Sequence, residues 1–185
     1  PGWPDEDTRH AAVVPNHPEL SPAGAFSLEL WVSPKPELEG YPESFLVDKR
    51  YVADTDYQLI LGAADRQGLR RLRMVLGFGD GSETYASEPM AFPAGTWSHI
   101  AFVYDGRGGG WFVVDGLSRG GGNLAGRGSI RPGAHSLSIG DRIGSYYHGF
   151  PGLIDEVRLC QGALEFRRGG LSLATERRAY RRMEG

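Results

Sequence analysis

The chain has 185 residues, 40% of them apolar and 23% charged, with a net charge of -3 and an isoelectric point near 6.0. That balance gives no general attraction to nucleic acid or to an anionic membrane, and 28 glycines with 12 prolines are more than a helical bundle tolerates. A single cysteine, Cys160, excludes an internal disulfide and a cysteine-based zinc site.

Short apolar runs separated by turn residues follow one another along the chain. The predicted strands are residues 9–14, 25–32 ("AFSLELWV"), 44–49, 57–62, 70–77, 83–87, 97–104 ("WSHIAFVY"), 111–116, 135–140 and 152–160 ("GLIDEVRLC"). In the second of these, Phe26, Leu28, Leu30 and Val32 share one face while Ser27, Glu29 and Trp31 share the other, the period of a half-buried strand. Between the strands lie "GDGS", "PAG", "YDGRGGG", "SRGGGN" and "RPGA", read as turns. About ten short strands so punctuated predict an all-β protein, an antiparallel two-sheet sandwich of jelly-roll type.

The predicted organisation is an N-terminal extension over 1–8, a sandwich over 9–166, and a basic tail or linker over 167–185. The two arginine clusters, in "RQGLRRLR" and "ERRAYRRMEG", are read as solvated surface and tail. No run approaches the length of a membrane span, so no membrane insertion is expected. The first residue is proline, which reads as the start of a piece of a longer or processed protein.

Five motifs in order, "VVPNHPELSPAGAFSLELWVSP", "TWSHIAFVYDG", "WFVVDG", "LSIGD" and "FPGLIDEVRL", resemble the laminin-G-like branch of the concanavalin A-like lectin/glucanase superfamily. The resemblance implies a concanavalin A-like sandwich and, for function, recognition or catalysis on sugars. Family members commonly carry an aspartate pair before the first strand. Arg9 and His10 stand in that place here.

Catalysis was weighed on geometry. Retaining glycoside hydrolysis needs two carboxyl groups about 5 to 5.5 Å apart, and a strand supplies them when acids recur at i and i+2. The Glu-x-Asp-x-Glu strand of the superfamily's glucanases has no counterpart. Asp155 and Glu156 are adjacent, which in a regular strand sends them to opposite faces, and Glu29 has no acid two residues away. His99 and Asp105, six residues apart on one strand, lie about 20 Å apart when extended. The expectation is therefore no enzyme, with a glycoside hydrolase or lyase of the same fold as the rival reading and a structural spacer without ligand as a third.

Binding chemistry concentrates in loops. "GDRIGSYYHGFPG" places Asp141, Arg142, Tyr146, Tyr147 and His148 together, aromatic and planar polar groups of the kind that hold sugars. "DKRYVADTDY" offers Asp54 and Asp56, hard oxygen donors suited to calcium, although a plain turn that needs no metal is the preferred explanation. The resemblance implies another calcium ligand, Asp155, acting with backbone carbonyls near the N-terminus. The sequence thus predicts a non-catalytic module of an extracellular or envelope-associated multidomain protein. Its expected partners are a glycan or an extracellular protein and the other domains of its parent, with structural calcium as the candidate cofactor.

Overall fold

The computed structural model describes residues 11–142, 149–166 and 181–182. Thirteen strands are present among them: β1 (Ala12–Val14), β2 (Phe26–Pro34), β3 (Ser44–Asp48), β4 (Tyr57–Leu61), β5 (Leu72–Gly77), β6 (Ser82–Ala86), β7 (Ser98–Tyr104), β8 (Gly109–Val114), β9 (Leu117–Asn123), β10 (Leu137–Ile139), β11 (Gly152–Gln161), β12 (Leu164–Glu165) and β13 (Arg181–Arg182). They form an antiparallel six-stranded sheet, in the order β1-β10-β3-β4-β5-β6, and a five-stranded sheet, in the order β11-β2-β7-β8-β9. A small ribbon of β12 and β13 completes the set.

The core lies between the two sheets. Phe26, Leu28, Leu30 and Val32 of β2 all point into it, joined by Ile100, Phe102 and Tyr104 of β7 and by Leu59, Leu61, Leu72, Met74 and Leu76 from the facing sheet. Phe102 is the centre of an aromatic cluster, with ring centroids 5.0 Å from Phe112 and 5.5 Å from Tyr85. Such tilted pairs add about 0.5 to 1.5 kcal/mol beyond simple burial.

Two local departures from the sequence reading have clear causes. "SRGGGN" is not a turn: it belongs to β9, which pairs with β8 through Gly109↔Asn123, Gly110↔Gly122 and Trp111↔Gly121. An edge strand needs only backbone groups to pair, and here close approach demands glycine, since a Cβ on Gly121 would lie 2.1 Å from the Gly110 oxygen. Meanwhile β11 is not regular. Its register against β2 shifts between Asp155 and Arg158, and Glu156 has a φ of 51°. This bulge lets Ile154 and Val157, three residues apart, both pack on the core. As a result Asp155 and Glu156 are both exposed, instead of lying on opposite faces.

Both Asp-Gly pairs are turns. Asp115 and Gly116 take φ values of 52° and 74°, as a tight hairpin requires, and the Asp105 carboxylate accepts the N–H groups of Arg107 and Gly109. Cys160 pairs with Ser27 on the side of the five-stranded sheet away from the core, half-buried there and not packed inside as a small core residue. Burial, with the nearby Glu29 carboxylate, pushes its thiol pKa up.

Candidate functional site

The two loops singled out by sequence meet over the β10–β3 pair of the six-stranded sheet. The pair is antiparallel, so the segment following β10 leaves beside the start of β3, while His135, just before β10, lies beside Tyr51, just after β3. Gly140 donates its N–H to Leu46 O at 2.9 Å and accepts from Phe150 N–H at 2.8 Å, which closes the base of the 140–150 loop on β3. From that base Arg142 reaches across. Its guanidinium lies 4.9 Å from the Tyr51 ring centroid and 5.2 Å from that of Phe45, with Nε 4.0 Å from Asp48 Oδ2. Each cation-π contact is worth about 0.5 to 1 kcal/mol, more when shielded from water.

Tyr51 is held in place by strain and hydrogen bonding together. The buried Asp48 Oδ1 accepts the N–H groups of Arg50 at 3.1 Å and Tyr51 at 2.9 Å, an Asx turn that holds Tyr51 at a φ of 54°. A left-handed tyrosine costs on the order of 1 to 3 kcal/mol, and such costs cluster at ligand clamps. Burial pushes the Asp48 carboxyl above the usual carboxylate range. The Tyr51 and Arg50 N–H groups, Gln58 and the Arg142 charge pull it back in part.

Beneath the loop sits a fully buried ion pair, Lys49 Nζ with Asp56 Oδ2 at 3.1 Å. Lys49 also donates to Asn16 Oδ1 at 2.8 Å and to His135 O at 3.1 Å, so each ammonium proton has an acceptor, and Asp56 Oδ2 takes the Gly133 N–H as well. The N-terminal segment, the β3–β4 loop and the 131–136 segment are thereby tied to one point. Above it opens a cavity of about 250 Å³ lined by Asp48, Lys49, Tyr51, Ala134, His135 and Ser136. The His135 ring meets the Tyr51 ring edge-on at 6.0 Å.

Of the predicted binding residues, Arg142 lines this end directly. Asp141 shapes the loop, its Oδ1 accepting the Arg142 N–H at 2.6 Å. Tyr146, Tyr147 and His148 lie outside the described residues, as do Arg9 and His10. Tyr51 and Asp48 lie in "DKRYVADTDY", where Asp54 and Asp56 are the acids with metal-ligand spacing, and His135 carries no local signal.

The predicted calcium donors separate. Asp56 faces inward onto the Lys49 ammonium, which would repel a cation there. Asp54 is engaged elsewhere: its Oδ1 accepts from Ser82 Oγ at 2.5 Å and lies 3.7 Å from Arg50, whose guanidinium also donates to Ser82. These two aspartates therefore do not fit a shared calcium, which takes six to eight oxygens. Asp155 is exposed, with Oδ1 accepting the Glu156 N–H at 2.8 Å and its second oxygen left for other contacts. Its expected carbonyl partners near the N-terminus fall in part among residues outside the description. Among the described residues, no three His, Cys, Asp or Glu side chains gather as a metal cluster.

The acids of the five-stranded sheet are drawn together across strands. Glu29, only 2% exposed, accepts from His99 Nε2 at 2.8 Å and lies 3.6 Å from Arg158, which reaches Glu156 at 3.2 Å on its other side. His99 is thus buried and partnered. Its ring lies 5.2 Å from Trp31 and 5.7 Å from Phe166.

A family profile described as Concanavalin A-like lectin/glucanases superfamily, the Laminin_G_3 family, matches residues 6–166. The chain belongs to this family. Among solved structures it is similar to domains LG4-5 of the mouse laminin alpha1 chain, with 17% identity over 82% of this chain and 39% of that one and a TM-score of 0.63. It is also similar to a candidate carbohydrate-binding protein from Bacteroides ovatus, with 19% identity over 82% and 41% and a TM-score of 0.60. A third is domain 4 of an extracellular GH43 arabinanase from Geobacillus stearothermophilus in complex with arabinotriose, with 23% identity over 83% and 67% and a TM-score of 0.57. At these identities the likeness is one of fold. No curated protein matches the sequence.

Proposed function

We propose that this chain is a non-catalytic recognition module that binds carbohydrate at the pocket framed by Tyr51, His135 and Arg142, within a larger extracellular or envelope-associated protein. The observation that carries the reading is the seating of Arg142 on Tyr51 beside a buried Asp48. Two loops distant in sequence converge to build it, and it borders a cavity able to take about one sugar ring. Tyr51 and His135 offer aromatic surface, and Ser136 with the rims of Asp48 and Arg142 offers polar groups for hydroxyls. The fold neighbours lend support: one is a candidate carbohydrate-binding protein and another was captured with arabinotriose. Calcium enters through Asp155, the remaining candidate ligand, and its role there would be to stiffen the fold.

A glycan array followed by titration calorimetry on the native chain tests the reading, with Tyr51→Ala and Arg142→Ala as variants. Glycan binding that falls in both variants supports it. Binding unchanged in both, or binding confined to a protein partner, would remove the pocket from the reading. Sugar release from a polysaccharide panel, abolished by one carboxylate substitution, would return the hydrolase.

A further inference from the structure

The outer side of the five-stranded sheet, the side away from the core, carries three of the chain's four tryptophans. Trp31 and Trp111 alternate with core residues of β2 and β8, and Trp97 precedes the core-facing Ser98 of β7. The register arranges this side in rows. Leu153 of β11 stands opposite Ser33 of β2, and Trp97 comes one residue before Ser98, the β7 partner of Val32. Asp155, Trp31 and His99 form the next row, and Arg158, Glu29 and Ala101 the one after.

One end of this side is closed by the chain itself. Residues 162–166 cross it, with Gly162 N–H donating to Ala25 O, Ser27 Oγ donating to Gly162 O at 3.1 Å and accepting from Leu164 N–H at 2.9 Å, and Phe166 against His99. Among the described residues the other end is open. There Trp97 is 43% exposed and Leu153 54% exposed, while the small Ser33 between them is buried at the floor. Two apolar walls on either side of a serine make a shallow trough. Strand spacing puts those walls about 10 Å apart at the backbone, the width of two sugar rings.

From this we infer a second binding surface, distinct from the Tyr51 pocket: a trough of Trp97, Ser33 and Leu153, continued by Trp31 and Asp155, that takes a neutral polysaccharide chain. Large exposed apolar side chains aligned in one row mark a contact surface and not scattered exposure. An indole stacks on the apolar face of a sugar ring and leaves its hydroxyls to polar neighbours, here the exposed carboxylates of Asp155 and Glu156. Charge selects the class of glycan. Asp155, Glu156 and Glu29 outnumber Arg158, which is already shared between two of them, and they still outnumber the bases when Lys35 at the end of β2 is included. A sulfated or uronate-rich chain would be repelled.

Native affinity electrophoresis tests this, with gels containing arabinan, xylan, galactan or mixed-linkage β-glucan, and heparin as the acidic comparison, all run in EDTA so that no metal takes part. The expected result is retardation of the native chain in at least one neutral gel and none in heparin. Measured in a Tyr51→Ala background, which removes the pocket's own contribution, Trp97→Ala and Leu153→Arg should each weaken the remaining retardation about tenfold. Both trough positions are exposed, and an unchanged melting temperature in either variant confirms folding. No retardation in any neutral gel, retardation by heparin alone, or full retardation in both trough variants would overturn the inference.

Discussion

Arg142 rests on the ring of Tyr51, and through that contact two loops distant in the chain become one wall. The antiparallel pairing of β10 with β3 sets the 140–150 loop on the start of β3, from which Arg142 reaches back, and the Asx turn at Asp48 presents the ring. Removing either partner should therefore act on binding more than on folding. Arg142→Ala and Tyr51→Ala are each expected to cost about 1 kcal/mol of stability, the scale of a shielded cation-π contact, while glycan affinity falls by about tenfold or more. Arg142→Lys should restore little, because an ammonium lacks the planar face that stacks. Calorimetry beside thermal melts separates the two effects, and equal loss in both would point to a structural role alone.

The buried Lys49–Asp56 pair sets the stability of the same region. Lys49→Met leaves the Asp56 carboxylate buried without its cation, at a cost of about 3 to 5 kcal/mol. Lys49→Met combined with Asp56→Leu should cost clearly less than the two single changes summed, since the double variant buries no charge. Urea denaturation of the four proteins gives the coupling. Strict additivity would mean that the pair does not interact in solution.

Arg70 is buried, and its guanidinium donates to the carbonyl oxygens of Gly62, Leu38 and Tyr41. Burial lowers its pKa. Arg70→Met takes the donor from the Gly62 and Tyr41 carbonyls, each worth about 1 to 3 kcal/mol where burial keeps water from replacing it, so this variant should be clearly less stable than the native chain. Arg70→Lys should recover part of the loss. A melting temperature close to native for Arg70→Met would show that the fork is dispensable.

Asp48 gives a pH signature. Its folded pKa lies above the ordinary 3.8 because burial disfavours the charge. The folded state then holds the proton to higher pH than the unfolded chain does, so this group's contribution is complete below pH 3.8 and is lost as pH rises through the folded value. Asp48→Asn abolishes the titration. Its melting temperature relative to native should therefore shift in the variant's favour as pH rises from about 4 to about 6. A difference that stays flat across that range would place the Asp48 pKa at its ordinary value.

Calcium is checked by melting with and without chelator. If Asp155 helps to hold the ion, EDTA lowers the native melting temperature and leaves Asp155→Asn unaffected, because a ligand bound only to the folded state raises apparent stability. Indifference of the native chain to chelator removes the metal.

The sandwich was legible because alternation is a strong local signal: Phe26, Leu28, Leu30 and Val32 announce a core face without reference to any partner. β9 was not, since a run of glycines reads as a turn until a neighbouring strand is seen to need its backbone. The β11 bulge was hidden for a similar reason, as nothing in "IDEV" marks Glu156 for a positive φ. Residue types alone were enough to nominate Arg142 and the 140–150 loop as candidates. They could not reveal that Tyr51 and His135 stand beside it, because loop adjacency follows from strand order, which periodicity does not encode. The same limit concealed the trough. Trp31 and Trp97 were visibly off the core face, but only the register with β11 adds Leu153 to their side.

The pairing of β2 with β11 has a consequence for biosynthesis. Among the described strands β2 comes second and β11 eleventh, so one edge of the five-stranded sheet stays unpaired until β3 to β10 have been made. Pairings so remote in sequence are slow to form, and an open edge meanwhile is a template for wrong partners. Shortening the domain by β11 would expose that edge of β2 permanently.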